Sequence, residues 1–135
     1  KAPTMFPMEK VTGIGGFFFK AKNADLLNDW YERHLGIRKC GAAYEDGSWW
    51  QDEGPTVFGA EQEEVQVIDG FPNHWYINFR VHDLDAMVAQ LRAADIAVKM
   101  DETIYPNGRF AHLRDPEENF IELWEPSGTD ATRPE

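Results

Sequence analysis

Near its C-terminus the chain reads Asn119-Phe120-Ile121-Glu122-Leu123-Trp124-Glu125-Pro126. One carboxylate, Glu122, stands among large apolar side chains in a run that favours a buried strand. An ionised carboxylate is costly to bury without a partner. Two kinds of chemistry answer that cost. Left unpaired, a buried carboxylate keeps its proton and serves as a general acid or base, and His112 is the candidate second proton-handling group. Paired with Lys20, Arg80 or Arg109, it stays ionised and suits recognition of a cationic or hydroxylated ligand. Arg109 stands out among these cations, because Gly108-Arg109-Phe110 lies between a turn and a strand. Cys40 follows Arg38-Lys39, which favours its thiolate. No His or second Cys adjoins it in sequence, so it reads as an ordinary strand residue.

A carboxylate of this kind needs elements to hold it. The chain has 135 residues, of which 42% are hydrophobic, enough for one domain with a real core. Five Trp and nine Phe must line a core, an interface or a pocket. The formal charge is −11 and the pI about 4.7, which argues against a phosphate backbone or an anionic membrane as partner. A single cysteine makes no internal disulfide and fits a reducing compartment. No apolar run is long enough to span a bilayer, and Lys1-Ala2-Pro3-Thr4 lacks the apolar stretch of a signal peptide. The expected location is the cytoplasm.

Val11 to Lys22 reads as a strand. Asn23 then caps a helix whose face is Leu27, Tyr31 and Leu35, with Trp30 at its edge, and Gly36 ends it. Short strands are predicted at 37–43, 48–51 and 55–60, followed by a connector over 61–73. The pattern then restarts. A strand over 74–81 leads to Asp83 as a cap and to a helix carrying Met87 and Leu91, with Ala94 nearby. Strands follow at 96–100, 108–114 and 119–124, with Asp115-Pro116-Glu117 as the last turn. The tail, 127–135, is polar. Shifting the chain by sixty positions lays Gly16 on Tyr76, Phe19 on Phe79, Lys20 on Arg80, Asn23 on Asp83, Leu27 on Met87 and Tyr31 on Leu91. The predicted fold is α+β: two βαβββ modules, about 10–60 and 74–126, forming one curved mixed sheet with a cup-shaped pocket.

Several pieces carry a resemblance. They are Ile14-Gly15-Gly16, Trp30-Tyr31-x-x-His34-Leu35-Gly36-Ile37, Phe79-Arg80-Val81-x-Asp83-Leu84-Asp85, and Asp115-Pro116-Glu117-x-Asn119-x-Ile121-Glu122-Leu123. Over residues 10–126 the chain resembles the glyoxalase / bleomycin-resistance / extradiol-dioxygenase superfamily, the vicinal oxygen chelate proteins. In metal-using relatives four side chains ring a divalent metal. The resemblance puts the eighth-strand ligand on Glu122, the first-strand ligand on Gly16, the fifth-strand ligand on Tyr76 and the fourth-strand ligand near Thr56-Val57-Phe58-Gly59. Only Glu122 is a good donor, so no metal cofactor is expected. If one is held, whether Zn, Ni, Mn or Fe, its ligands are Glu122, His74 and His112.

The resemblance therefore implies an aromatic cup that binds a small organic molecule. Its catalytic candidates are Glu122 and His112. Its ligand-binding candidates are Phe18, Lys20, Trp50, Phe58, Tyr76, Asn78, Arg109, Phe120 and Trp124, with Tyr105-Pro106-Asn107-Gly108-Arg109-Phe110 as a loop at the mouth. The protein either sequesters its ligand or transforms it by acid–base chemistry. If it is an enzyme, it is a lyase or isomerase. The alternatives are a divalent-metal lyase or isomerase of the glyoxalase type and a non-catalytic dimeric interaction module. A homodimer is expected, because relatives pair through sheet edges that need covering.

Overall fold

Two short polar side chains, sixty residues apart in sequence, start the two helices. The computed structural model describes residues 8–62 and 75–134. Asn23 accepts a hydrogen bond from the Leu26 amide at 3.1 Å and opens α1, Ala24–Leu35. Asp83 accepts from the Ala86 amide at 3.0 Å and opens α2, Leu84–Ala93. Each side chain satisfies an amide that the first helical turn leaves without an intrahelical acceptor. Gly36 ends α1 at φ 71°, a left-handed conformation that a residue without Cβ enters freely. The predicted helices and their caps are thus observed. On α2 the buried residues are Leu84, Val88 and Leu91, while Met87 lies beside them partly buried and Ala94 caps the C-terminus.

The second half of the chain forms a complete βαβββ unit. Its strands are β1 (Ile77–Arg80), β2 (Lys99–Met100), β3 (Gly108–Arg114) and β4 (Phe120–Pro126), in the sheet order β1-β4-β3-β2. β4 runs parallel to β1 and antiparallel to β3, and β2 runs antiparallel to β3. The chain leaves β1 through α2, reaches the far edge as β2, and returns to place β4 between β1 and β3. Successive side chains of a strand point to opposite faces. Ile121 and Leu123 therefore face the helices, and Phe120, Glu122 and Trp124 face away. Leu27 and Tyr31 of α1 join Leu84, Val88 and Leu91 of α2 over Ala111, Leu113, Ile121 and Leu123, forming one core. Both helices cover the same side of the sheet, which leaves the Glu122 side for a site.

A buried carboxylate ties the first helix to the last hairpin. Asp115 is 2% exposed. Its Oδ2 accepts from the Tyr31 hydroxyl at 2.7 Å and from Asn119 Nδ2 at 2.8 Å; its Oδ1 accepts from the Glu117 and Asn119 amides. Burial, and then the bond to Asp115, pushes the Tyr31 hydroxyl far above the ordinary phenol range. Glu117 in the same turn accepts from the Lys22 and Asn23 amides at 2.7 and 3.0 Å, just ahead of α1.

The α+β class and the mixed sheet are as expected, but the strands are unevenly distributed. Among the described residues, 11–22, 37–43, 48–51 and 55–60 form no strand. Cys40 is correspondingly not a strand residue but an exposed one. Glycines punctuate these stretches, at 13, 15, 16, 41, 47, 54 and 59, and glycine weakens a strand by adding backbone entropy and offering nothing to pack. The predicted connector from residue 63 onward and the start of the strand at His74 lie outside the described residues. No helix among the described residues is long and apolar enough to cross a membrane.

Candidate functional site

Strand register gathers four polar side chains into one row on the face away from the helices. Glu122 lies opposite Asn78 on β1 and opposite His112 on β3, and His112 lies opposite Lys99 on β2. Directly opposed residues share a face. Asn78 Nδ2 donates to Glu122 Oε1 at 2.8 Å, and His112 Nε2 stands 2.8 Å from Glu122 Oε2. With its proton on Nε2, His112 donates to the carboxylate. The His112 and Glu122 side chains are only 16% and 14% exposed. A carboxylate sheltered to this degree is tolerated because each oxygen has a hydrogen-bonding neighbour.

Aromatic rings frame this row. The Phe120 ring centre is 5.2 Å from that of His112 and 5.5 Å from that of Tyr76. Phe110 stacks parallel to Trp124 at 6.2 Å, and Tyr105 meets Phe110 edge-on at 5.6 Å. Trp124 Nε1 donates to the Asn107 carbonyl at 2.8 Å, which holds the turn before β3 against the sheet. Beside this row lies a hollow of about 350 Å³, lined by Asp101, Tyr105, Asn107, Phe110, His112 and Glu122. The Asp101 amide donates to the Phe110 carbonyl at 3.0 Å and so prolongs the β2–β3 ladder. The Thr103 amide and the Tyr105 hydroxyl donate to the Asp101 carboxylate and hold it below the usual carboxylate range. The Tyr105 hydroxyl is raised, chiefly by that bond and then by burial. Burial, followed by the charge of Glu122, pushes the Tyr76 hydroxyl up to about 12.

Of the residues expected at the site, Glu122, His112, Asn78, Tyr76, Phe120 and Trp124 come together. Of these only Glu122 and His112 line the hollow; Phe120 and Trp124, 1% and 2% exposed, pack beside it. The other expected residues stand elsewhere. Phe18, Trp50 and Phe58 are 93%, 90% and 90% exposed and line no hollow with Glu122, because the first-half ladders that would aim them are not formed. Lys20 is exposed as well. Arg109 sits three positions before His112 and so faces the helices, where its guanidinium donates to both oxygens of Asp85 at 2.9 and 3.2 Å. Arg80 donates to the Asp52 carbonyl. Glu122 is therefore met by an amide and an imidazole rather than by Lys20, Arg80 or Arg109. His74 lies outside the described residues. Asp101 is a lining residue that sequence reading missed. Its signal was parity: it lies two positions after Lys99 and shares its face.

Of the expected metal set the described residues hold only Glu122 and His112. Both Glu122 oxygens are engaged by Asn78 and His112, and an amide nitrogen is no ligand. Among the described residues no three His, Cys, Asp or Glu side chains converge as a metal site would require.

Residues 21–123 match the family model of the Glyoxalase/Bleomycin resistance protein/Dioxygenase superfamily. Two mycobacterial proteins, both provisionally named glyoxylase CFP32, from Mycobacterium bovis and Mycobacterium tuberculosis, are 39% identical over 59 residues. That match spans 43% of this chain and only 23% of the length of those relatives. The crystal structure of TnmS3, an antibiotic binding protein from Streptomyces sp. CB03234, superposes with a TM-score of 0.56 at 22% identity, over 89% of this chain and 100% of that one. A glyoxylase/bleomycin resistance protein/dioxygenase domain from Frankia sp. EAN1pec superposes with a TM-score of 0.55 at 14% identity, over 87% and 100%. At these identities the likeness shows the fold.

Proposed function

We propose that this chain, which belongs to the Glyoxalase/Bleomycin resistance protein/Dioxygenase superfamily, binds a small organic molecule in the hollow above Glu122 and His112 and does so without a metal. One observation carries the reading: a sheltered carboxylate, with Asn78 and His112 on its two oxygens, at the foot of an aromatic-walled hollow. Concave, mostly apolar walls with a few converging polar groups are the usual make-up of a ligand site. The antibiotic-binding role named for TnmS3, on a similar fold, supports the same reading. Glu122 and His112 are spaced to exchange a proton with a bound molecule, so acid–base chemistry on the ligand is available to the same pair. The test is an amide NMR titration with bleomycin and a set of aromatic fragments. Resonances of Asp101, Tyr105, Phe110, His112 and Glu122 are expected to shift, and Glu122→Ala to weaken binding about tenfold or more. Absence of shifts at these residues with every compound overturns the reading.

A divalent-metal lyase or isomerase is the second reading, favoured by the glyoxylase name of the mycobacterial relatives and by the carboxylate of Glu122 in the site. Stoichiometric Zn, Ni, Mn or Fe in protein purified without chelator would establish it and overturn the metal-free mode.

The chain is also proposed to pair with a second copy. Phe18, Trp50 and Phe58 carry large rings into water, and burying each is worth about 1.5–3 kcal/mol. β1, at the sheet edge, has a free side for a further strand among the described pairings.

A further inference from the structure

The hollow has a bias of charge that its aromatic walls do not require. Of its six lining residues two are carboxylates, Asp101 and Glu122, and none is lysine or arginine. Two arginines of the sheet are engaged elsewhere. Arg109 is paired with Asp85 on the opposite face, and Arg80 is bonded to the Asp52 carbonyl. Lys99 stands in the same row as His112 but on the short edge strand, exposed and outside the lining. Each carboxylate also keeps acceptor capacity, since an ionised carboxylate has about four lone-pair sites. Glu122 meets Asn78 and His112, and Asp101 meets the Thr103 amide and the Tyr105 hydroxyl. The rest of the lining is Asn107, His112 and the rings of Phe110 and Tyr105. An anionic ligand entering here would meet two carboxylates and no lysine or arginine in the lining. A ligand cation meets acceptors and ring faces together. The net charge of −11 adds attraction at longer range.

Building on the small-molecule reading above, we propose that the hollow selects a planar cation: an aromatic or conjugated group bearing a protonated amine or amidine. Its N–H donors lie on Asp101 and Glu122, and its ring lies on Phe110 and Tyr105.

Three probes of nearly one shape separate charge from shape: benzamidine, benzamide and benzoate. Each is titrated into the full chain at low ionic strength and followed by amide NMR. Benzamidine is expected to shift the resonances of the lining residues and to bind about tenfold more tightly than benzoate. Asp101→Asn is expected to weaken benzamidine about tenfold and to leave benzamide unchanged. Glu122→Gln gives the same readout should Asp101→Asn fold poorly. Asp85→Asn makes the same charge change on the other face and is expected to leave all three affinities unchanged. Benzamide or benzoate binding in the hollow as tightly as benzamidine overturns the charge preference and leaves the small-molecule reading standing. An equal loss of benzamidine affinity in Asp85→Asn reassigns the effect to net charge and also overturns it. No shift at the lining residues with any probe overturns the proposal together with the reading it builds on.

Discussion

At the residue scale, Glu122 acts on its surroundings through its charge as well as its hydrogen bonds. The Tyr76 hydroxyl is raised to about 12, first by burial and then by Glu122. Glu122→Gln removes the second cause and keeps the first. Tyr76 is then expected to ionise at lower pH, while remaining above the ordinary value of about 10. Ring-carbon NMR across an alkaline titration checks this, and an unchanged Tyr76 midpoint would contradict the placement of Glu122 beside it. The sign for stability follows. A phenol raised by folding contributes stability that is complete below the unfolded value, near 10, and is lost as pH rises toward 12. The midpoint of thermal unfolding is expected to fall over that window, less so in Glu122→Gln.

At the scale of elements, the β3–β4 turn does more than reverse the chain. Asp115 collects the Tyr31 hydroxyl from α1 together with two amides and a side-chain amide of its own turn. Asp115→Ala would leave four donors without their acceptor in a buried place. It is expected to destabilise the fold by about 3 kcal/mol in urea unfolding. Asp115→Asn keeps an acceptor oxygen and is expected to lose less. A loss below about 1 kcal/mol for the alanine variant would mean that water replaces the carboxylate. The Arg109–Asp85 pair, with Asp85 70% exposed, has no comparable weight, because solvent screens it.

At the scale of the whole molecule, among the described residues the second half supplies the sheet and the first supplies a helix and much of the exposed aromatic surface. Phe18, Trp50 and Phe58, each at least 90% exposed, are the groups a second copy would cover. Light scattering is expected to report a dimer at micromolar concentration. Phe18→Ser combined with Trp50→Ser is expected to shift the population toward monomer. A monomer in the parent chain contradicts the pairing.

Local sequence determined the helices, their caps and the places of the second-half strands, although the strand predicted over 96–100 forms only at Lys99–Met100. Asn23, Asp83 and Gly36 act within three or four residues of themselves, so their signal needs no knowledge of the rest of the chain. The strand over 108–114 was legible in full for a similar reason, lying between a Gly-containing turn and Asp115-Pro116. The sixty-residue repeat made the family legible, and residues 21–123 match it. His112 was named beside Glu122 from the sequence and Asn78 only as a residue of the same pocket; that these two and no cation meet the carboxylate was not legible. Parity shows which residues of one strand share a face, but only the register between strands sets Asn78 and His112 beside Glu122 and turns Arg109 away to Asp85. Register is decided by the packing of Ile121, Leu123, Ala111 and Leu113 beneath two helices, and that packing is non-local. Glu122 could thus be picked out from its own strand, whereas its amide and imidazole neighbours meet it only because three strands were set side by side.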